Sequence, residues 1–345
     1  MIPRFLAAAT VLVVAAILLI AAWPQLFGLE RVIGIAQLVS LRALAALVAG
    51  IGVVLFLAMA LLSKRMRRLA ATLALMLLVF AGVTGAVLAI RGTASAGFPS
   101  KAANDLTIVS WNTLGDAPGA TEIARLAIEQ KADIVSLPET STAAAGTVRD
   151  LMSQAGIPMQ LLSLSFGTVA TSHTTSLLIS TKLGVYRRDD SHGSTPTLPS
   201  VIAVPVDGSG PTIIAAHPIS PVPGEMTSWR SGLSWLAARC GATAAAGDGT
   251  IMAGDLNSTL DHWTGLTAPS AHGEGDLGAC HDGARAKNAA AVGSWPTQLP
   301  SSMGTPIDHV VASDGWTFVG FRVITTEDGA GSDHRPVVAQ LRPSS

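Results

Sequence analysis

The sequence predicts an α/β protein with mixed β-sheets, preceded by three transmembrane helices. Residues 5–27, 43–62 and 69–90 are three apolar runs, each with about the 20 residues needed to cross ~30 Å of hydrocarbon. From residue 105 onward, short β-rich runs alternate with segments of helical spacing, the pattern of an α/β domain. Several β-rich runs lie close enough in sequence to form hairpins, which makes the sheets mixed and not purely parallel.

Charge divides the chain at the same place. Residues 1–91 hold one acid, Glu30, against eight Lys and Arg, whereas residues 92–345 hold 22 acids against 14 Lys and Arg, a formal balance of −8. The near-neutral total therefore hides a basic membrane anchor and an acidic domain. An acidic domain is poorly suited to neutralising many phosphates along a duplex. A signal peptide is the alternative reading of the first apolar run, but the stretch is long and no small-residue cleavage site stands out. Arg42 is expected at the membrane interface. Lys64, Arg65, Arg67 and Arg68 crowd the short segment between the second and third runs, and positive loops stay in the cytoplasm. This places the N-terminus in the cytoplasm and residues 92–345 outside, as the extracytoplasmic part of a multi-pass cell-membrane protein. Cys240 and Cys280 both fall in that outer part. In an oxidising compartment they are expected to form a disulfide, the alternative being two buried thiols.

Residues 92–104 form a Gly/Ala/Ser linker with little to bury, and residues 105–345 form the domain. Strands are expected at 106–111, 133–137, 176–180 and 185–188. A hairpin spans 201–206 and 212–216 around Asp207-Gly208-Ser209-Gly210. Further strands are expected at 250–253, 306–312, 317–323 and 336–341. Helices are expected at 121–130 and 146–155, and at 226–240 with Trp229, Leu233, Leu236 and Ala237 on one side. Residues 264–306 read as long irregular loops.

Polar residues end or interrupt these apolar strands repeatedly. Gly331-Ser332-Asp333-His334 sets an acid and an imidazole at the mouth of the last one. Glu139 follows a buried-type strand, where a carboxylate is costly unless it faces a cleft, a cation or water; alone it also reads as a solvated loop glutamate. Asp255 and Asn257 stand at i and i+2, so in extended backbone they face the same way and could hold an attacking water; the alternative is an Asx-turn. Asp308 lies in an apolar strand and needs a partner. His334 is the candidate, because a buried Asp fixes a histidine's tautomer and supports its cation. His309 then points to the other face and is structural. His217 ends an apolar strand before Pro218 and could donate to a phosphoryl oxygen, or be an ordinary satisfied histidine. Trp295-Pro296 reads as packing. His262 is expected beside the Asn257 loop, and His173, His192 and His272 in loops. Cys280-His281 lacks the two further ligands a zinc site needs.

In this order and spacing, strand-Asn112, strand-Glu139, strand-His217, Gly254-Asp255-Leu256-Asn257, Ile307-Asp308-His309 and Ser332-Asp333-His334 resemble the endonuclease/exonuclease/phosphatase superfamily, the DNase I-like fold. The resemblance covers roughly residues 105–342. The pieces TSWRSGLSWLA after His217 and SWP before PIDHV look like a bacterial membrane-anchored branch. The resemblance implies a four-layer sandwich, two mixed sheets with helices outside, and hydrolysis of a phosphomono- or phosphodiester with Mg²⁺ or Mn²⁺. It puts Asn112, Glu139 and Asp333 around the metal and has Asp255 and Asn257 position the water. It brings His217 and His334 to the scissile phosphate, with Asp308 orienting His334. One departure concerns His217. Members with a histidine there often carry a carboxylate before the SLLIS-type strand, but residues 171–176 (Thr171-Ser172-His173-Thr174-Thr175-Ser176) contain no acid. His217 is therefore expected to be less well oriented or to lean on a hydroxyl. The acidic charge and the membrane tether favour a lipid-linked or small phosphoester at the lipid bilayer. An extracytoplasmic nuclease is the alternative within this chemistry, and a non-catalytic envelope binding module the alternative outside it. No protein partner can be inferred.

Overall fold

Three long helices dominate the first of two units into which the chain divides, residues 1–91 and 92–345. The computed structural model describes residues 2–94, 97–167, 171–242, 249–266 and 276–344, so His272 lies outside the described residues. Helix α1 is Ile2–Ala22, α2 Ile35–Ser40, α3 Arg42–Leu62 and α4 Arg67–Arg91. Apolar stretches Phe5–Ala22, Arg42–Leu62 and Arg67–Arg91 are long and apolar enough to cross a membrane. The first run extends to residue 27 in sequence, but α1 stops at Ala22, and Pro24 opens a separate 3-10 turn; proline lacks the N–H that would continue the helix. Ala21, Ala49 and Phe80 form a small packed cluster among these helices, in keeping with the small residues that let membrane helices approach closely.

The second unit is a sandwich of two six-stranded sheets flanked by helices. Its strands are β1 Leu106–Ser110, β2 Ile134–Pro138, β3 Met159–Ser165, β4 Thr174–Ser180, β5 Tyr186–Arg188, β6 Val201–Pro205, β7 Thr212–Ala216, β8 Thr250–Asp255, β9 His281–Asp282, β10 Asp308–Ala312, β11 Trp316–Val323 and β12 Val337–Pro343. The helices are α5 Ala120–Glu129, α6 Thr142–Gln154, α7 Met226–Ala242 and α8 Gly283–Ala286. One sheet runs β11-β12-β1-β2-β4-β3 and the other β5-β6-β7-β8-β10-β9. Pairs β1–β2 and β7–β8 are parallel and the other pairs antiparallel.

The core follows from the sequence periodicity. Ile123, Leu126 and Ala127 of α5 and Val148 and Met152 of α6 are buried in one cluster with Val109, Val135, Leu137 and Leu178 of the first sheet. In α7, Trp229, Leu233 and Leu236 are fully buried. The expected hairpin is β6–β7. Strand β3 has no counterpart among the expected strands; five of its seven residues are only half-buried, as an edge strand allows, so its apolar signal is weak. Segment 92–104 also buries more than expected. Phe98 packs against the α5–α6 cluster, and the Arg322 guanidinium lies 4.7 Å from its ring centroid. Cys240, at the end of α7, is joined to Cys280 in a disulfide with Cα atoms 5.5 Å apart.

Strand directions put one edge of both sheets to use. The C-terminal ends of β1, β2, β7 and β8 lie at the same edge as the N-terminal ends of β4, β10 and β12, as the pairings Ser110↔Val337, Pro138↔Thr175, Ala216↔Gly254 and Asp308↔Asp255 record. Gly254 permits the close approach of β7 and β8, since a Cβ there would sit 1.9 Å from the Ala216 carbonyl oxygen.

Candidate active site

Asn112, Glu139, His217, Asp255, Asn257, Asp308, Asp333 and His334 all stand on that edge, and a chain of contacts joins them. The Asp308 carboxylate accepts from His334 Nδ1 at 2.9 Å. His334 Nε2 faces Asp255 Oδ2 at 3.7 Å and Asp333 Oδ1 at 3.9 Å. Asn112 Nδ2 donates to Glu139 Oε1 at 3.0 Å and to Asp255 Oδ2 at 3.1 Å. The Leu114 N–H donates to Asn112 Oδ1 at 3.0 Å, which fixes the direction of the amide. Asn112 therefore turns its nitrogen, not its oxygen, toward the carboxylates.

Glu139 and Asn257 owe their aim to left-handed backbone, with φ of 54° and 45°. Such conformations cost non-glycine residues ~1–3 kcal/mol and persist where the surroundings over-determine them. Two donors hold the Glu139 carbonyl, the Thr113 hydroxyl at 2.9 Å and the Gly115 N–H at 3.0 Å. At Asn257 the strand has already ended, so strand alternation is not what pairs it with Asp255. Its N–H donates to Asp255 Oδ1 at 2.8 Å, an Asx-turn, and its Nδ2 donates to Asp255 Oδ2 at 3.1 Å and to Pro218 O at 2.9 Å. The turn and the site geometry are one structure.

Buried ring N–H groups lock this turn from behind. Trp229 Nε1 donates to Asn257 O at 3.0 Å, and His309 Nε2 contacts Ser258 O at 2.9 Å. His309 Nδ1 meets the buried Asp282 carboxylate at 2.7 Å. His309 thus faces away from the Asp308–His334 pair and braces the fold. His262 packs edge-on against Trp229.

His217 is fully buried. The Thr175 hydroxyl donates to Pro199 O at 2.6 Å and sits 3.5 Å from His217 Nδ1. A hydroxyl thus stands where a carboxylate would orient the ring, at long hydrogen-bond range. His217 Nε2 lies 3.7 Å from Glu139 Oε1 and has no hydrogen-bond partner.

The charges settle in opposite directions. Burial disfavours the His334 cation, but Asp308 and Asp255 outweigh it and push the imidazole up to about 10. Burial raises the Asp255 carboxyl to about 6, against the pull of His334. Burial would also raise Glu139, yet the His217 ring 3.7 Å away, followed by the Asn112 amide, holds it below its ordinary value.

Asp255, Asp308 and His334 bring one potential ligand atom each to within 4.8 Å of one another, a grouping that could hold a cation. His334 Nδ1 is already committed to Asp308. Asp333 Oδ1, by contrast, is buried without a hydrogen-bond partner, a costly state for a carboxylate oxygen.

The sequence model of the endonuclease/exonuclease/phosphatase family matches residues 109–334. The chain belongs to this family. Two solved structures share its fold: a humanized form of D. rerio TDP2 carrying 14 mutations, at 16% identity and a TM-score of 0.52 over 70% of this chain and 100% of that one, and TDP2 from C. elegans, at 16% identity and a TM-score of 0.51 over 85% of this chain and 93% of that one. No curated protein matches the chain. Family membership and the DNase I-like sandwich make this a hydrolase of the phosphoesterase and nuclease type.

Within this endonuclease/exonuclease/phosphatase fold, several supporting residues carry no isolated sequence signal. Trp295, which reads as packing, donates from Nε1 to Asp333 Oδ2 at 2.9 Å and so aims that carboxylate. The Ser294 hydroxyl oxygen accepts from the Ile307 and Asp308 N–H groups, both at 3.1 Å. The Ser332 hydroxyl donates to Asn112 O at 2.7 Å, and Trp111 Nε1 donates to His334 O at 2.9 Å. In the sequence, the SWP piece ahead of the 306–312 strand is the hint for Ser294 and Trp295.

Proposed function

We propose that the protein is a membrane-anchored, extracytoplasmic, divalent-metal-dependent phosphoesterase acting on a lipid-linked or small phosphomono- or phosphodiester. The observation that carries this reading is the hydrogen-bonded Asp308–His334 pair with its free Nε2 aimed at the edge where Asp255, Asp333, Glu139 and His217 converge.

Glu139 and Asp333 are the residues that would hold Mg²⁺ or Mn²⁺, with Asn112 bracing Glu139. Their oxygens suit a hard cation, which is usually held by one or two carboxylates plus substrate phosphate, and the unpartnered Asp333 Oδ1 fits that role. Bound there, the ion supplies positive charge to the phosphoryl oxygens. His334, kept cationic by Asp308, donates from Nε2 to a phosphoryl oxygen, and His217 Nε2 offers a second contact. Asp255, its carboxyl raised toward neutrality, accepts a proton from the attacking water. Both amide protons of Asn257 are committed to Pro218 and Asp255, so its oxygen is left to hold that water.

Charge at the site favours this over a nuclease. The described residues of the loops that spring from the site edge (111–119, 138–141, 166–167, 171–173, 189–200, 217–225, 255–264, 293–306 and 324–335) contain ten acids and one arginine. That arginine, Arg335, is fully buried. A site built for a nucleic-acid backbone needs accessible cations along its groove. The basic segment of Lys64, Arg65, Arg67 and Arg68 supports the outward placement of residues 92–345, and the Cys240–Cys280 disulfide is compatible with it.

The test uses the full chain in detergent, assayed with Mg²⁺ on p-nitrophenyl phosphate, bis-p-nitrophenyl phosphate and single- and double-stranded DNA. The reading expects hydrolysis of a small ester, lost on chelation and in Glu139→Ala and His334→Ala. Activity indifferent to both substitutions would sink the mechanism, and activity on DNA alone would favour the nuclease.

A further inference from the structure

The second unit exposes few large apolar side chains. Among its described residues they are Leu114, Phe166, Val185, Val206 and Val222. Val185 and Val206 lie at the far end, where β5 begins and β6 stops. The other three stand on loops of the catalytic edge: Leu114 after Asn112, Phe166 on the β3–β4 turn and Val222 after His217.

Leu114 is held out deliberately. It is 46% exposed and has a φ of 48°, a left-handed conformation that a leucine adopts only under constraint. The constraint is the site itself, since the Leu114 N–H donates to Asn112 Oδ1 and the next N–H, of Gly115, donates to Glu139 O. The Phe166 turn abuts this loop. A Cβ on Gly115, whose φ is 70°, would lie 2.6 Å from Thr171 Oγ1, and the Phe166 N–H donates to His173 O at 2.8 Å. Phe166 is 37% exposed and Val222, beyond His217-Pro218, 42%. Loops that offer apolar side chains and no accessible cation are matched to an uncharged hydrocarbon group and not to a second phosphate.

We propose that Leu114 and Phe166 form an apolar rim that takes the hydrocarbon chain of a lipid phosphoester whose phosphate sits between His217 and His334. The proposal rests on the phosphoesterase reading above. The same chain carries three helices apolar enough to cross a membrane, so a bilayer is the source of such a substrate. The rim is then a specificity determinant, selecting the ester by its chain while the buried groups act on its phosphate.

The experiment uses the full chain in one fixed detergent and two phosphodiesters with the same reacting centre, p-nitrophenyl methyl phosphate and p-nitrophenyl dodecyl phosphate, the latter below its micelle-forming concentration. In both, water adds to phosphorus as the bond to p-nitrophenolate breaks. Each methylene withdrawn from water contributes roughly four-fold in kcat/KM, so three on the rim give a dodecyl-to-methyl ratio of about 60-fold. In the double variant Leu114→Asn/Phe166→Ser the ratio should fall at least ~10-fold; asparagine tolerates the left-handed backbone and keeps the loop's shape. The control Val185→Asn/Val206→Asn, at the far end, should leave the ratio unchanged, which separates rim contacts from simple partitioning into detergent. A ratio near one in the wild type, or an equal fall in the control, overturns the rim and leaves the phosphoesterase standing. Turnover of neither ester, in protein that also fails on p-nitrophenyl phosphate, overturns the phosphoesterase reading and the rim with it.

Discussion

Replacing Asp308 by asparagine isolates the contribution of one buried charge. Asp308 is 2% exposed, its Oδ2 accepts from His334 Nδ1 at 2.9 Å, and its backbone N–H is fixed by Ser294 Oγ. The amide that replaces it has two poor choices. With its oxygen toward His334 it leaves an NH₂ where Asp308 Oδ1, which has no partner, now sits. With its nitrogen toward His334 it forces the proton off Nδ1 and reverses the tautomer. Either arrangement breaks a buried charge-assisted bond, which costs ~3–5 kcal/mol. If that loss falls in the transition state, kcat/KM drops by between about 150-fold and several thousand-fold, with KM changed by less than about three-fold. The assay is steady-state hydrolysis of bis-p-nitrophenyl phosphate by the full chain at saturating Mg²⁺, with thermal unfolding followed in parallel. A folded Asp308→Asn protein within about five-fold of wild type would refute the idea that His334 depends on Asp308.

Other predictions concern stability and pH. Cys240 and Cys280 are 40 residues apart in sequence, so removing the disulfide by Cys240→Ala/Cys280→Ala should cost ~4 kcal/mol on the chain-entropy estimate; denaturant unfolding of the two proteins measures it, and equal midpoints would contradict it. Asp105 is buried and accepts from the Ala102 N–H at 2.9 Å, Gln340 Nε2 at 2.8 Å and Arg342 Nε and Nη2 at 2.7 and 2.8 Å. These bonds, those of Arg342 foremost, depress its carboxyl well below the usual range. The stabilisation is therefore present above the ordinary carboxylate pKa and is lost only as pH falls through the depressed one. Asp105→Asn should cost ~2–3 kcal/mol at neutral pH and flatten the acid limb of a melting-temperature profile. His281 behaves oppositely. Its hydrogen bond to Asp276, with Asp314 adding to it, raises the imidazole to about 9. Its contribution is full below the unfolded value of 6.5 and disappears as pH rises through about 9. Because the ring is 29% exposed, screening reduces that contribution to ~1 kcal/mol. Melting temperature should fall between neutral pH and pH ~10, and His281→Gln should remove that part of the slope.

How the site could be read in advance differs from residue to residue. Asp308 declared itself, because a carboxylate inside DHVVA has no reason to be there without a cationic partner, and the structure supplies His334. His309 announced its opposite role through strand alternation alone. Asp255 and Asn257 admit two readings in sequence, a shared strand face or an Asx-turn, and the second holds, with a left-handed Asn257. Trp295 was invisible as a site residue. An indole before a proline reads as packing, and only the fold brings its N–H to Asp333, 38 residues on.

The sequence by itself determined where apolar runs are long enough to span a bilayer, where strands and helices alternate, and which polar residues stand at strand ends. Those properties are local: period, length and charge are written in neighbouring residues. Only the tertiary structure decided which way the Asn112 amide turns, that a threonine hydroxyl stands beside His217, that Ser294 and Trp295 steady Asp308 and Asp333, and that Leu114 is held outward. Each of these depends on contacts across long sequence separations, such as Ser332 to Asn112, 220 residues apart. The pairing of twelve strands into two sheets creates those contacts, and no short window of sequence contains them.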